Sequence, residues 1–209
     1  MNKLQLKKSR SLFDIETVVS NYCGLPLYTL MQIYCLRKHA FIDRKGWSIQ
    51  SYKGGDIEYD EYDDSHAYYI FTLHEDFVTG CVRLRPSTSP TLMSGSFAWL
   101  KKQVKSNDFN FKITWEASRF FITPAKCLIG RRDRIDTRTR ALFISMIEFG
   151  VNLEFEGYEV VVDEVMLRIL RRSRWPVNIL SSGIGNMGEK IYYGILPCDL
   201  KILNDVASF

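Results

Sequence analysis

Three side chains that could do chemistry stand within four positions of one strand-like stretch, ITWEASRFFI, residues 113–122. Its β-branched and aromatic residues favour a strand, in which successive side chains face opposite sides. On that pattern Arg119 shares one face with the indole of Trp115, and Glu116 shares the other face with Ser118. Neither pairing is usual in a strand that only packs. The stretch is therefore a candidate site, because a carboxylate can accept a proton and a guanidinium can bind an anion.

A second concentration of charge is the acidic stretch DIEYDEYDD, residues 56–64. Several carboxylates suit a hard cation such as Ca²⁺ or Mg²⁺, but the stretch lacks the spacing and the glycine of an EF-hand loop. It also suits a solvated loop. The third interpretation is a carboxylate pocket for a cationic substrate, in which Asp60 and Asp63 converge if the loop turns helically. The residues alone leave all three interpretations open.

Other motifs exclude several classes of chemistry. His39, His66 and His74 lack the spacing of a metal site, so zinc is not expected. The sequence has neither the G-x-S-x-G elbow of many hydrolases nor a Walker loop. Residues 183–188, GIGNMG, match the G-x-G-x-x-G pattern of dinucleotide-binding folds, but a strand-like stretch follows them instead of a helix. We predict a hairpin turn at residues 183–188. For the protein as a whole we expect neither a metal nor a cofactor.

The composition is that of an ordinary globular protein, with 209 residues, 46% of them hydrophobic and 25% charged. No apolar run approaches the roughly 20 residues of a membrane helix, and no apolar segment follows the charged start. The five cysteines are scattered without a C-x-x-C pair, as is typical of free thiols in a reducing compartment. We therefore expect a soluble cytoplasmic protein with a single domain over residues 1–209.

The basic residues are unevenly distributed, because arginines crowd residues 131–140 and 168–174. A solvated surface is the simplest interpretation of such runs. Nucleic acid is not expected, since neither a known binding module nor a high isoelectric point accompanies them. An acidic protein partner stays open, and the separation of acidic from basic stretches suggests one basic docking face.

The remaining patterns place these groups on helices and strands in mixed order. Helices are predicted over residues 27–41, 97–104 and 137–155, and after Asp163, which would cap the last of them. Strands are predicted over residues 67–73 and 81–85 as a hairpin, over 113–122, just before Asp163, and on both sides of the glycine-rich turn. This order predicts an α/β fold in three layers.

Taken together, these residues resemble the acyl-homoserine lactone synthases, the autoinducer synthases of bacterial quorum sensing. The resemblance runs from about Leu27 to Pro197 and leaves residues 1–12 as an N-terminal extension. Its motifs are LRKHAFIDRKGW, YDEYDD, GCVRL, WEASRFFI and MLRILRRSRWP, in the family's order. The family positions that it identifies are Arg37, Phe41, Trp47, Asp60, Asp63, Arg83, Phe97, Glu116, Ser118 and Arg119.

The resemblance implies an N-acetyltransferase-like fold, a three-layer α-β-α sandwich around a mixed, twisted sheet with two splayed central strands that admit a pantetheine arm. It also implies the reaction. An acyl chain passes from acyl carrier protein to the amine of S-adenosyl-L-methionine, and the lactone then closes with loss of methylthioadenosine. S-Adenosylmethionine is a substrate, so no cofactor is implied. The implied partners are the acidic carrier protein and this small molecule, with no nucleic acid and no membrane.

The resemblance also implies roles for the charged residues. Glu116 is expected to be the base that removes a proton from the substrate's ammonium, with Ser118 orienting substrate or base by a hydrogen bond. The forked guanidinium of Arg119 suits the substrate's carboxylate. Asp60 and Asp63 are expected to bind its positively charged groups.

The aromatic and remaining basic positions have supporting roles. Phe41 and Trp47 are expected to cover the adenine or the sulfonium by stacking and cation–π attraction. Arg37 belongs to the same S-adenosylmethionine-binding set, and with Arg83 it is expected to tie the N-terminal loop to the acidic loop. Phe97 is assigned to this loop-anchoring group.

The acyl donor is expected to contact a pocket and a docking face. The pocket residues are Met146, Phe149, Val160 and Val162, all of which suit core packing equally well. Members that favour a 3-oxo chain commonly have threonine where this chain has Val160, and because valine cannot hydrogen-bond a ketone, an unsubstituted chain of undetermined length is favoured. Docking of the carrier protein is expected at Arg131, Arg132, Arg168, Arg171 and Arg172.

Two rival functions stay open beside this one. The first is an N-acyltransferase of the same fold that takes acyl-coenzyme A, in which the basic residues would meet phosphates. The second is a noncatalytic DNA-binding regulator, which the arginine runs alone support.

Overall fold

The computed structural model describes residues 7–10, 15–105, 111–124 and 135–208. These residues form an α/β fold, as expected, with antiparallel and parallel strand pairs in a mixed sheet. Two of the arginines expected to dock the carrier protein, Arg131 and Arg132, lie outside the described residues. None of the helices within these ranges has the length and the apolar character needed to cross a membrane.

The chain divides into two compact units, Met1–Arg83 with Arg119–Leu142, and Leu84–Ser118 with Phe143–Phe209. The borders fall inside secondary structure and not in linkers. Three elements each begin in one unit and end in the other, namely Phe77–Pro86, Thr114–Ile122 and Thr137–Asn152.

Among the described residues, four consecutive strands begin in the first unit. They are β1 (Lys7–Arg10), β2 (Glu16–Asn21), β3 (Tyr68–His74) and β4 (Phe77–Pro86), in that order across the sheet. The register of β2 and β3 is antiparallel and pairs Val18 with Phe71. The two-residue connection between β3 and β4 makes them the predicted hairpin. The sequence patterns missed β1 and β2, because KKSR has no apolar residue and ETVVSN has only two.

Helix α1 (Leu27–Arg37) follows Pro26, as predicted. Its buried residues are Leu30, Ile33, Tyr34 and Arg37, the spacing of a single helix face. The first three pack in the core cluster that also contains Val18 and Phe71. The fourth brings a positive charge into the interior at the end of the helix.

The helix continues past Arg37 as a π-helical segment, Lys38–Arg44, in which Phe41 is buried. Such winding is rare and is often found at functional sites. The chain then turns back, because the backbone N–H of Trp47 donates to the carbonyl of Phe41 at 2.9 Å. Gly46 makes this turn possible, since its φ of 67° is one that glycine adopts without strain. The turn thus places Trp47 next to Phe41.

The second unit contains the remaining elements. They are α2 (Ala98–Lys101), most of β5 (Thr114–Ile122) and of α3 (Thr137–Asn152), β6 (Gly157–Asp163), α4 (Glu164–Arg172), β7 (Asn178–Ile184), β8 (Lys190–Pro197) and α5 (Leu200–Ala207). Their strand order is β5-β6-β8-β7. The β5 and β6 pair is parallel, whereas β8 runs antiparallel to both of its neighbours.

Local hydrogen bonds explain where the last elements begin and turn. Asp163 caps α4 by accepting the N–H of Met166 at 2.8 Å, which confirms the predicted cap. The G-x-G-x-x-G stretch is a hairpin turn, also as predicted, closed by the N–H of Gly185 on the carbonyl of Glu189 at 2.7 Å. Helix α5, capped by Asp199, was not predicted, because eight residues give only a short periodic pattern.

The parallel strands β5 and β6 part after a short ladder. The described register pairs Thr114 with Gly157, Trp115 with Tyr158 and Glu116 with Glu159. Strand β6 continues beyond Glu159 against β8 as far as Asp163. The pairing of β5 with β6 therefore ends at two glutamates, which agrees with the splayed strands that the resemblance implies.

Arg119 interrupts the alternation expected for β5. Its φ is 56°, in the left-handed region, where a residue with a Cβ gives up about 1–2 kcal/mol. The side chains from Ala117 to Phe120 are all half-buried instead of alternating in and out. The irregularity of this strand is thus located at Arg119.

Candidate active site

Arg37 occupies the centre of a buried ion cluster in the first unit. Its Nε donates to Glu58 Oε2 at 2.6 Å, and its Nη1 donates to both carboxylate oxygens of Asp63, at 2.7 and 2.9 Å. The hydroxyl of Tyr69 donates to Asp63 Oδ1 at 2.7 Å. The end of α1 is therefore tied to the acidic stretch and to β3.

Asp60 joins the other two arginines of the cluster. Arg83 forms a forked pair with it, in which Nη1 bonds Oδ1 and Nη2 bonds Oδ2. Arg119 Nη2 donates to Asp60 Oδ2 at 2.8 Å and to Glu58 Oε1 at 3.0 Å. The carboxylate of Asp63 also lies 3.0 Å from Arg83 Nη1. Asp60 and Asp63 thus converge on one guanidinium.

The turn of the acidic stretch explains this convergence. The backbone N–H of Asp63 donates to the carbonyl of Asp60 at 3.0 Å, and the N–H of Asp60 donates to Asp63 Oδ2 at 2.9 Å. The buried carboxylates of the stretch bind arginines. Over the described parts of the chain, no cluster of His, Cys, Asp and Glu is arranged to hold a metal ion.

The charges of the cluster are balanced, yet its three arginines differ. Burial alone would raise the pKa of Asp63, but Arg37 and Arg83 hold that pKa well below its usual range. Burial would lower the pKa of Arg83, but Asp63 and Asp60 raise it above its usual value. For Arg119 the balance is reversed, because burial and the nearby Arg37 together lower its pKa.

The solvent exposure of the three arginine side chains also sets Arg119 apart from Arg37 and Arg83. The side chain of Arg119 is 10% exposed, whereas those of Arg37 and Arg83 are 1% and 0% exposed. Arg119 donates to carboxylates through Nε and Nη2, and among the described residues Nη1 donates no hydrogen bond. Arg119 is therefore the guanidinium best placed to take an additional anion.

The two aromatic residues of the candidate site lie beside this arginine. Phe41 and Trp47 are stacked, with ring centroids 5.2 Å apart and planes inclined by 13°. The guanidinium carbon of Arg119 lies 6.0 Å from the centroid of Phe41, and Lys45 Nζ lies 4.3 Å from the centroid of Trp47. The indole of Trp47 thus makes a cation–π contact with a lysine.

Glu116 lies in the second unit and is 2% exposed. Its Oε2 accepts the backbone N–H of Met93 at 2.9 Å, so its carboxylate is fixed by the turn between β4 and α2. Ser118 follows on the same strand and is half-buried. Phe97, just before α2, packs in the cluster of Leu100 and Tyr193.

The residues expected to contact the acyl donor are divided between core and surface. Met146, Phe149, Val160 and Val162 are all buried in the second unit. On α4 the side chains of Leu167 and Leu170 are buried, while Arg168, Arg171 and Arg172 are exposed.

With this geometry the comparisons with known proteins become decisive. A family model described as autoinducer synthase matches residues 27–206. An acyl-homoserine-lactone synthase of Dickeya chrysanthemi is 32% identical over 173 residues, which are 81% of this chain and 77% of the relative. The chain belongs to the autoinducer synthase family. This autoinducer synthase is accordingly an enzyme of the acyltransferase class, and the broad function expected from the sequence, acyl-homoserine lactone synthesis, is confirmed.

Solved structures support the fold of this autoinducer synthase. A CoA-dependent acyl-homoserine lactone synthase, BjaI, solved with SAM and isopentyl-CoA, has a TM-score of 0.74 at 22% identity, over 91% of this chain and 86% of BjaI. An acyl-CoA N-acyltransferase from Pseudomonas aeruginosa has a TM-score of 0.52 at 10% identity, over 86% of this chain and 97% of that one. The α/β, N-acetyltransferase-like fold class is thereby confirmed.

Sequence reasoning overlooked three buried residues of this autoinducer synthase. Glu58 and Tyr69 belong to the arginine cluster, and Glu159 lies in β6. For Glu58 the sequence does contain a signal. Glu58 and Asp60 are two residues apart, so in an extended chain they face the same side, and a role for Asp60 predicts a similar environment for Glu58. For Tyr69 and Glu159 the sequence offered no signal.

Proposed function

We propose that this autoinducer synthase transfers an acyl chain without a 3-oxo group from acyl carrier protein to the amine of S-adenosyl-L-methionine and then closes the lactone. The observation that best supports this is the accessible Arg119, three residues after a buried glutamate on one strand. An amino-acid substrate presents a carboxylate and an ammonium on one carbon. An enzyme that binds and acylates this substrate therefore needs an anion-binding group for the carboxylate and, a short distance away, a proton acceptor for the ammonium.

Acylation begins with the loss of a proton. Glu116 takes it from the ammonium, since only the free amine has the lone pair that attacks the thioester carbonyl. The amide bond forms, the carbon–sulfur bond of the thioester breaks, and the thiol leaves with a proton. Ser118 orients the substrate or the base by a hydrogen bond.

Arg119 binds the substrate's carboxylate through Nη1. After acylation an oxygen of this carboxylate attacks the carbon next to the sulfonium, and the carbon–sulfur bond breaks to release methylthioadenosine. The sulfonium is a good leaving group because it departs as a neutral thioether.

The other residues of the cluster assemble this site. Arg37 and Arg83, both fully buried, tie the acidic stretch to α1 and β4, and Phe97 supports the turn before α2. Asp60 holds Arg119 and, with Asp63 and Glu58, offsets the positive charge of the three arginines, so that the substrate's ammonium and sulfonium meet no net positive charge from the cluster. Phe41 and Trp47 cover the adenine or the sulfonium.

We also propose that both units form one synthase domain over residues 1–209, with residues 1–12 as an extension. Independent domains are normally joined by exposed linkers. Here the chain changes unit inside β4, β5 and α3. The cytoplasmic location and the lack of a cofactor stay predictions.

The proposed preference for an unsubstituted chain rests on Val160, and it gives the first prediction. In the Val160→Thr variant a hydroxyl can donate to a 3-oxo group, so the ratio of kcat/KM for 3-oxo to unsubstituted donors should rise about tenfold. The control is Val161→Thr, on the opposite face of β6. An equal ratio in both variants would remove Val160 from acyl selection.

The acyl donor is tested through the exposed arginines of α4. Carrier protein is acidic, so reversing charges that meet it should slow encounter and weaken docking. We predict that Arg168→Glu with Arg171→Glu raises KM for acyl carrier protein about tenfold at low salt. The same variant should leave the Kd for S-adenosylmethionine unchanged, and Lys201→Glu, an exposed lysine on α5, is the matched control.

The second candidate function differs only in its donor, and the CoA dependence of BjaI favours it. Acyl-coenzyme A and acyl carrier protein thioesters of equal chain length should be compared by mass spectrometry of the products. Turnover at least as efficient with coenzyme A, combined with insensitivity to the α4 reversal, would replace carrier protein by coenzyme A as the donor.

A further inference from the structure

The second unit contains a buried carboxylate that has no part in the proposed function so far. Glu159 is 1% exposed. Its Oε2 accepts Lys101 Nζ and the hydroxyl of Tyr193, both at 2.8 Å, and its Oε1 accepts the hydroxyl of Thr114 at 2.9 Å. Three elements, α2, β5 and β8, therefore send a donor to one glutamate.

The position of Glu159 relates it directly to Glu116. The two are register partners in the parallel pair of β5 and β6, at the last step before these strands part. Partners in such a pair face the same side of the sheet, with their backbones about 4.8 Å apart. The hydrogen bond from Thr114 supports this orientation, since Thr114 is two residues before Glu116 and shares its face. Two buried carboxyl groups are thus neighbours.

The surroundings keep Glu159 ionised. Burial alone would raise its pKa, but the hydrogen bonds from Lys101 and Tyr193 lower it below its ordinary value. Tyr193 keeps its proton, because burial and Glu159 raise its pKa. Lys101 is 43% exposed on its side chain, so water screens its charge better than that of Glu159.

We propose that the Lys101–Glu159 ion pair sets the proton affinity of Glu116. This inference rests on the proposed function, in which Glu116 is the base. A negative charge beside a carboxyl group favours its protonated form, and a positive charge favours its ionised form. Glu159 therefore makes Glu116 a stronger base, and Lys101 limits this effect. Both are positioning residues, which act on the reaction through Glu116.

A backbone group also acts on the same carboxyl. The N–H of Met93 donates to Glu116 and favours its ionised form. The buried Arg85 lies on the neighbouring part of β4, where the N–H of Ser87 donates to the carbonyl of Thr114 at 3.1 Å. Met93 and Arg85 are the same in all the variants below, so they do not affect the comparison.

The test uses two variants that should shift the titration of Glu116 in opposite directions. Glu159→Gln removes the negative charge and should lower the midpoint, whereas Lys101→Met removes the positive charge and should raise it. Each shift should be about half a pH unit to one unit, because screened neighbouring charges act over one strand spacing. Thr114→Val, which removes a hydrogen bond to Glu159 without changing a charge, is the control and should shift less.

The titration should be followed by NMR of the side-chain carboxyl carbons of ¹³C-labelled glutamate, with Glu116 assigned by its absence from the Glu116→Gln spectrum. This measurement does not depend on activity. Shifts of the same sign, or no shift, would overturn the proposal. Lys101 lies partly in solvent, so its variant tests the sign even if Glu159→Gln does not fold.

The acidic limb of the pH profile of kcat/KM then tests separately whether Glu116, whose titration the ion pair shifts, is also the catalytic base. It should move with the NMR midpoint, to lower pH in Glu159→Gln and to higher pH in Lys101→Met. If the NMR midpoints shift while the acidic limb stays in place, the electrostatic coupling is real, but Glu116 is not the base and the proposed function fails in that respect.

Discussion

Replacing Glu116 by glutamine should lower kcat by a factor of about 10² to 10⁴, the usual contribution of general base catalysis. Glutamine has the same shape, and its amide oxygen can still accept the N–H of Met93, which is bonded to Glu116 at 2.9 Å. It cannot take a proton from an ammonium. The rates of release of thiol and of methylthioadenosine should fall together, because lactone closure follows acylation. Calorimetry should give a Kd for S-adenosylmethionine within about twofold of wild type, since binding does not require the proton transfer.

A matched control exists for this variant. Glu156 also accepts a backbone N–H, that of Lys112 at 2.8 Å, but it lies on the exposed surface. Glu156→Gln should therefore keep full activity. Unchanged product formation in Glu116→Gln would remove Glu116 from the mechanism, and equal losses in both variants would indicate a general loss of structure.

Replacing Arg37 by methionine should lower the free energy of unfolding by about 3–5 kcal/mol, the usual effect of breaking a buried ion pair. The change leaves Glu58 and Asp63 in the interior without the guanidinium that binds them at 2.6 and 2.7 Å. Urea unfolding measures the loss. The control is Arg44→Met in the same helical run, where the arginine is exposed and a change below about 0.5 kcal/mol is expected.

The loss in Arg37→Met should also depend on pH. Because arginines hold the pKa of Asp63 below its unfolded value of about 3.9, Asp63 stabilises the fold above that pH, and the contribution is lost as the pH falls through the folded pKa. Without Arg37 the pKa of Asp63 is lowered less. The stability gap between wild type and variant should therefore narrow below about pH 4, and a gap independent of pH would show that Asp63 does not carry the effect.

Local patterns predicted the elements that local physics determines. The helix after Pro26, the cap at Asp163 and the glycine-rich hairpin turn were all confirmed, because each depends on residues close in sequence. Helix α5 and strands β1 and β2 were missed, since they are short or poor in apolar residues. Their formation depends on packing against distant elements, to which a window along the chain is insensitive.

The candidate site shows the same limit. Glu58 looked like one more acid in a solvated loop, and its burial depends on Arg37 and Arg119, which are 21 and 61 residues away. Glu159 looked like an ordinary member of a strand, and its main partner, Lys101, is 58 residues away. A buried charge is stable only with partners, and a single sequence does not reveal which distant residues those partners are.

The left-handed backbone at Arg119 has a consequence for laboratory evolution. Glycine adopts that conformation readily, but it would remove a guanidinium that binds the buried Glu58 and Asp60 at 3.0 and 2.8 Å. A library selected for heat resistance alone should therefore keep arginine at this position, because the lost ion pairs outweigh the gain from a relaxed main chain. Selection for melting temperature and selection for signal production would then favour the same residue.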